Sequence, residues 1–410
     1  MKPKRPSLLL FVACIASFAG GCDALITEAP LDADVLDAPL PGLTPGEMAV
    51  FIAGDEEFGR AFAPADGLGP LFTNVSCAAC HSGDGRGRPE PRFSNLVPRV
   101  DPTVATAAGH PFDAPVIQVK ALPGADPEVV PEGIPVSLRL PPPVFGVGLI
   151  EAIPAAQILS RADPDDADED GISGRPHWVT PPEWMPRHEL PVGPGPYLGR
   201  FTRKGRASTI FEQVVDAYLN DMGITTDFLY AENRNVAAGA PTKAVDRVPD
   251  PELPTEVVTR VAFYLRLLAP PAPGQMNPVR ELGQELFGRV GCASCHTPKM
   301  TTGPHAVAAL AHQPVPLYSD LLLHDMGPEL ADDVQDIDAT GTEWRTAPLW
   351  GLRVAREFLD GELFLMHDGR ARGIEEAVLF HGGEGNAARA AFMALPAADR
   401  RALVDFVGSR

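Results

Sequence analysis

Two pentapeptides hold the residues best suited to chemistry. Cys77-Ala78-Ala79-Cys80-His81 and Cys292-Ala293-Ser294-Cys295-His296 both read C-x-x-C-H. Two thiols three residues apart can each add to one vinyl group of a porphyrin. The histidine that follows is then held beneath the iron as its proximal ligand. Zinc and dithiol sites also use C-x-x-C, but two copies, each with its own histidine, favour haem in both places. The expectation is two covalently bound haem c groups, on Cys77 and Cys80 with His81, and on Cys292 and Cys295 with His296. The other two of the six cysteines, Cys14 and Cys22, lie at the N-terminus, so none is left for a structural disulfide. The haems would act as the staples instead.

Other side chains invite a role. Asp166, Asp168 and Asp170 alternate ahead of Gly171, the oxygen fan of a Ca²⁺ loop. The twelfth position of an EF-hand counted from Asp166 is His177 rather than glutamate, so a calcium loop and a solvated acidic turn both fit. Glu151 sits in the apolar stretch 147–153 with no base nearby in sequence. Burial there would raise its pKa and suit it to moving a peroxide proton; a helix cap or internal ion pair fits the same position. His110 is a further histidine that could ligate iron in one redox state and leave it in another, with His177 and His188 behind it. Trp178, Trp184, Trp344 and Trp350 could relay electrons, although core packing explains tryptophan equally well.

These residues need elements to place them. Residues 47–62 carry Met48, Phe51, Ile52, Phe58 and Phe62 at near-helical spacing before the first motif; residues 280–290 carry Leu282, Leu286 and Phe287 before the second. A closing helix follows each: 255–268, with Thr255 as its N-cap, and 397–407. Helix, C-x-x-C-H, irregular middle and closing helix is the layout of a cytochrome c domain. The expected fold is therefore mainly α: two cytochrome c-like haem domains in tandem, at 47–270 and 271–410. The Pro-rich segment 269–274 separates them, and a large insert from about 83 to 239 enlarges the first. With 45 prolines and 39 glycines, long irregular loops should outnumber regular elements.

The N-terminus reads as an address. Residues 1–22 have Lys2, Lys4 and Arg5, an apolar run from Leu8 to Phe18, and Ala19-Gly20-Gly21-Cys22, which resembles a lipoprotein processing box with Cys22 as the lipidated residue; an ordinary cleavable signal that contains a cysteine is the other reading. Residues 23–46 read as a flexible tether. The mature chain would be exported and lipid-anchored to a bacterial membrane, facing the periplasm or cell exterior. A formal charge of −20 argues against nucleic acid as a partner; it would steer a basic redox carrier toward the surface, and keeping the protein soluble explains it equally well.

With its motifs placed, the chain resembles the di-haem oxidoreductases often labelled thiol oxidoreductases, relatives of the bacterial di-haem cytochrome c peroxidases and of the methylamine-dehydrogenase maturation enzyme. The resemblance rests on Gly67 to Phe72, Ser76 to His81, Pro141 to Pro154, Asp170 to Arg175, Asp221 to Thr225, Asp320 to Gly327, Glu343 to Thr346, His367 to Arg372 and Phe380 to Glu384. It implies a distal iron ligand fourteen residues beyond His367, where His381 stands. It also implies an arginine near the N-terminal haem at Arg139, to hold a propionate or a bound peroxide. A solvated loop arginine is the other reading of Arg139, and a surface or core histidine the other reading of His381.

Two functions follow. In the first, a small cytochrome or cupredoxin delivers electrons to the C-terminal haem, and the N-terminal haem reduces peroxide or oxidises a partner. In the second, the chain is a non-catalytic electron-transfer lipoprotein. Because His381 supplies a sixth ligand at one haem while nothing comparable appears for the other, the ligand count favours the enzyme.

Overall fold

The computed structural model describes residues 35–82, 85, 87–89, 96–236, 245–358 and 361–410. The expected signal sequence and the lipidation site Cys22 lie outside the described residues.

Helices carry most of the regular structure, joined by long loops and two-stranded ribbons. The first helix, Pro45–Gly59, starts two residues earlier than its apolar spacing suggested, because Thr44 and Glu47 form a capping box. Thr44 Oγ1 accepts from Glu47 N at 3.2 Å, and the Glu47 carboxylate accepts from Thr44 N at 2.7 Å. Its buried face is Phe51, Gly54 and Phe58, and it packs against the helix Thr255–Leu267. That second helix is capped from outside rather than by Thr255, whose N and Oγ1 both donate to Asp227 at 2.7 Å. The crossing is close: a Cβ on Gly54 would stand 2.4 Å from Arg260 O.

The C-terminal half repeats this arrangement. Asn277 caps the helix Pro278–Arg289, which crosses the helix Ala397–Gly408 at Gly283, where a Cβ would stand 2.2 Å from Ala402 O. Each first helix delivers the chain to its C-x-x-C-H motif. The first motif is the helical turn Cys77–Cys80, capped by Ser76; the second is the 3₁₀ turn Cys292–Ser294, entered through Gly291 at φ +92°.

Two sequence expectations change here. Residues 36–40 are not tether. Leu36 and Leu40 are buried, and the backbone pairs with the end of the Thr255–Leu267 helix through Leu40 N to Leu267 O at 2.7 Å. Short apolar residues spaced two apart can add an extended segment to a core edge, which a Pro- and Asp-rich composition hides. Nor does the chain divide cleanly at 270. The core built around Phe58, Phe145, Phe211 and Tyr264 also takes Met300, Leu310, Leu317, Leu322 and Trp350 from the second half. Segments with only short two-stranded ribbons of their own bury their apolar side chains in the nearest core. The second core, around Phe287, Phe392, Leu403 and Phe406, is drawn from the C-terminal half alone.

Ion pairs also cross between the halves. Arg139 meets Asp332 at 2.9 Å and Asp336 at 2.7 Å; Lys204 meets Asp332 at 2.9 Å; Arg175 meets Glu343 at 2.6 Å. Among the described residues no helix is long and apolar enough to cross a membrane.

Candidate haem centres

Beside the second C-x-x-C-H motif lies an apolar cavity of about 480 Å³, with His296 and His381 both in its wall. Each histidine is pinned by a carbonyl. His296 Nδ1 donates to Tyr318 O at 2.9 Å, and His381 Nδ1 donates to Ala377 O at 2.8 Å. That fixes the tautomer and leaves Nε2 as the ligating atom on both rings. The ring centres are 6.4 Å apart. Two metal–imidazole bonds of about 2 Å separate the ligating nitrogens by roughly 4 Å and the ring centres by roughly 6 Å. The spacing therefore fits one iron between the two rings. Burial pushes His296 down to about 4 and lowers His381, so both stand as the neutral imidazoles a metal requires.

The first motif faces a smaller cavity of about 200 Å³. His81 Nδ1 donates to Pro142 O at 2.8 Å, and burial pushes this histidine down to about 4. Asn74 Nδ2 donates to Cys80 Sγ at 3.4 Å. Among the described residues lining this cavity His81 is the one histidine, and methionine and tyrosine are absent. Its polar wall is Arg99, Arg139, Arg200, Arg203 and Arg345, with Gln213 and Asp221.

Arg203 and Arg345 line both cavities, and the segment 344–350 runs between them. Arg345 donates from Nε to Thr202 O at 3.1 Å and from Nη1 to Thr346 O at 3.2 Å. Those acceptors are uncharged. Burial pushes its pKa down to about 10 against the pull of Asp320. A buried guanidinium of this kind suits a haem propionate, which supplies the missing negative charge.

Several residues singled out from sequence behave otherwise. Glu151 lines neither cavity. Its Oε2 accepts from Arg266 Nε at 2.6 Å and its Oε1 accepts from Ile210 N at 2.8 Å, at the start of the helix Ile210–Met222. It is an ion-paired helix cap, and the cation that sequence proximity could not reveal is 115 residues away. Arg139 does line the N-terminal cavity, but its guanidinium is committed to Asp332 and Asp336, so it is neither a loop arginine nor free for a peroxide.

The acidic loop closes differently from the expected fan. The carboxylates that converge on one point are Asp163, Asp166 and Asp168, with oxygens within 4.8 Å of one another. Asp170 instead accepts from Ile172 N at 2.9 Å. His110 is exposed and lines neither cavity. His177 is buried between Lys204 O at 2.6 Å and Asp338 at 2.8 Å, and His188 is exposed.

Of the four tryptophans, Trp344 lines the C-terminal cavity and Trp350 the N-terminal one. His367 stacks on Trp344 with ring centres 3.9 Å apart.

Sequence reasoning gave no role to Arg203, Arg345, Asp221, Asp320, His324 or Glu384. Asp221, Asp320, His324, Arg345 and Glu384 all lie inside segments that carried the family resemblance, which was the available signal. Asp221 is pushed up to about 7 by burial and by Asp216, against the pull of Arg99.

Two proximal histidines, each with its own cavity, define a di-haem redox protein. The family described as "Di-haem oxidoreductase, putative peroxidase" matches residues 17–97 and 110–410, and the chain belongs to that family. No curated protein matches it. Among solved structures it is similar to hydrazine synthase of Kuenenia stuttgartiensis, at 13% identity and a TM-score of 0.41, over 99% of this chain and 100% of that one. It is also similar to a MauG-like protein associated with microbial copper homeostasis, at 14% identity and a TM-score of 0.31, over 65% of this chain and 88% of that one. At these TM-scores neither likeness carries weight for the fold or the chemistry.

Proposed function

We propose that this chain is an exported di-haem c-type oxidoreductase of the peroxidase type, built from two tandem haem units. Haem is held covalently at Cys77 and Cys80 and at Cys292 and Cys295. Electrons from a soluble redox carrier enter at the C-terminal centre, and peroxide or a redox partner reacts at the N-terminal one. Bound haem supplies the one-electron chemistry; the chain decides which centre is closed and which is open.

The observation that carries this reading is the unequal ligation of the two cavities. His381 faces His296 at the distance of a shared iron, whereas the described wall beside His81 offers arginines, Gln213 and Asp221. A closed bis-imidazole centre stores and passes electrons, and an arginine-lined cavity suits an anionic or peroxidic reactant. Asp221 is the carboxyl there able to hold and release a proton near neutral pH. The proposal includes lipid anchoring at Cys22 on the strength of residues 1–22 alone. A Ca²⁺ ion, if it binds, would sit at Asp163, Asp166 and Asp168.

EPR and visible spectra of the purified holoprotein, before and after one-electron reduction and with hydrogen peroxide, test the reading. One high-spin haem that responds to peroxide beside one low-spin haem is the expected result. Two low-spin haems inert to peroxide in every redox state would leave an electron carrier in its place.

A further inference from the structure

Beside the C-terminal cavity, three buried ionisable groups form a chain that the redox reading does not use. His324 Nε2 stands 2.8 Å from Asp320 Oδ2, and its Nδ1 stands 2.6 Å from Glu384 Oε2. Carboxylates on both ring nitrogens require an imidazolium that donates in both directions. The side chains of His324 and Asp320 are 3% and 2% exposed, and that of Glu384 is 12% exposed. Burial by itself would lower the His324 pKa. The hydrogen bonds to Asp320, Cys295 and Glu384 outweigh it and push the value up to about 12.

The two ends of this chain attach to the segments that carry His296 and His381. Asp320 N donates to Cys295 O at 2.9 Å, and His324 Nδ1 lies 3.6 Å from Cys295 Sγ, in the residue before the proximal His296. Glu384 stands three residues after His381. Its carboxylate also accepts from Ser173 Oγ at 2.6 Å, Ser173 N at 3.1 Å and Asp325 N at 3.1 Å.

The backbone around Gly382 to Gly385 packs closely against the segment 325–326 and His381. A Cβ on Gly383 would meet Asp325 O at 2.1 Å, and one on Gly382 would meet Met326 O at 2.7 Å. One on Gly385 would meet His381 Cβ at 3.0 Å. The strand Leu323–Asp325 that carries His324 is paired in turn with Glu343–Arg345, in the wall between the two cavities.

We propose that Asp320, His324 and Glu384 form a positioning clamp that holds the His381 loop at ligating distance from the iron carried by His296. The clamp is needed because the distal histidine has no covalent tether, whereas the proximal one follows two cysteines that have. Ser173 extends the hold to the insert, so the insert supports the distal ligand from outside. The proposal rests on the reading of His381 as that ligand.

The test compares four variants as holoproteins by EPR, visible spectra and CO binding to the reduced form. His381→Ala should convert the C-terminal haem from low to high spin, with added imidazole restoring the low-spin signal. Glu384→Gln and His324→Gln should show a partial high-spin fraction at that haem and at least tenfold tighter CO binding there, with the N-terminal spectrum unchanged. Ser173→Ala removes one bond to Glu384 without touching the charged core, and should move the same signals the same way by a smaller amount. It serves if the buried variants fail to retain haem.

Loss of low-spin character in His381→Ala, with Glu384→Gln, His324→Gln and Ser173→Ala all spectrally native, would overturn the clamp and leave the ligand. A native spectrum in His381→Ala would remove the ligand reading, and the clamp with it.

Discussion

In the first half, Gly54 lets its helix press against Arg260 and Tyr264, and Phe58 reaches His81 with ring centres 6.2 Å apart. In the second, Gly283 presses against Ala402 and Phe406, and Phe287 reaches His296 with ring centres 6.3 Å apart. Both histidines then donate Nδ1–H to a loop carbonyl, at 2.8 and 2.9 Å. The same local sentence is written twice: Gly54-Asp55-Glu56-Glu57-Phe58-Gly59-Arg60 and Gly283-Gln284-Glu285-Leu286-Phe287-Gly288-Arg289. The opposite sides differ. Both cavities carry arginines, with Arg203 and Arg345 in common, but the C-terminal one sets His381 opposite His296, whereas among the described residues of the N-terminal wall His81 is the one histidine. The proximal side is built from short-range pieces that duplicate together, and the distal side from remote segments that are free to differ.

The largest blow to this arrangement should come from the contact that joins the halves. Arg139→Leu leaves Asp332 and Asp336, with side chains 3% and 7% exposed, short of a buried cation. A stability loss of roughly 3–5 kcal/mol is expected in thermal or urea unfolding. Acid should expose the same contact. Burial raises the Asp336 pKa, but Arg99, Arg139 and Arg206 overcome it and hold it at about 2. Its folded pKa thus lies below the unfolded value of about 3.9, so its stabilisation is complete above pH ~4 and is lost as pH falls toward 2. Melting temperatures across that window should fall less steeply in Arg139→Leu than in the wild type.

Next in size is the repeated helix crossing. Gly54→Ala and Gly283→Ala each force a methyl into a backbone carbonyl and should cost about 1–3 kcal/mol. Gly288→Ala, with nothing within 4 Å of the added Cβ, should be neutral or gain up to about 1 kcal/mol. Similar losses at Gly54 and Gly283 would support a shared design; tolerance at either one would break it.

The smallest effect on stability separates two carboxyls near the N-terminal centre. Glu151→Gln should cost about 1 kcal/mol and leave the peroxide response within twofold, because Glu151 caps a helix outside the cavity. Asp221→Asn should slow that response at least tenfold at neutral pH, as expected for loss of a proton-transfer group. The reverse pattern in stopped-flow spectra would return Glu151 to the site.

Much of this could be read along the chain. The C-x-x-C-H motifs, the helices that enter and close each unit, and the placing of His381 opposite His296 all depend on residues within a few turns of one another or on a family spacing. The partners of Glu151 and Arg139 could not be read. Arg266 lies 115 residues from Glu151, and Asp332 and Asp336 lie 193 and 197 residues from Arg139. The acidic loop failed for a smaller reason: Asp163 converges with Asp166 and Asp168 because the backbone turns at Asp166 and Glu169, both at positive φ, so alternation in sequence does not give alternation in space.

The sequence by itself determined which atoms can hold haem, since two thiols and a histidine within five residues are a covalent property of the chain. Only the tertiary structure decided which motif histidine faces a second imidazole, which arginines are already spent on aspartates, and which histidine is locked between two carboxylates. Those outcomes turn on distances of a few ångströms between segments far apart in sequence, and burial makes the charges among them depend on every neighbour that packing supplies.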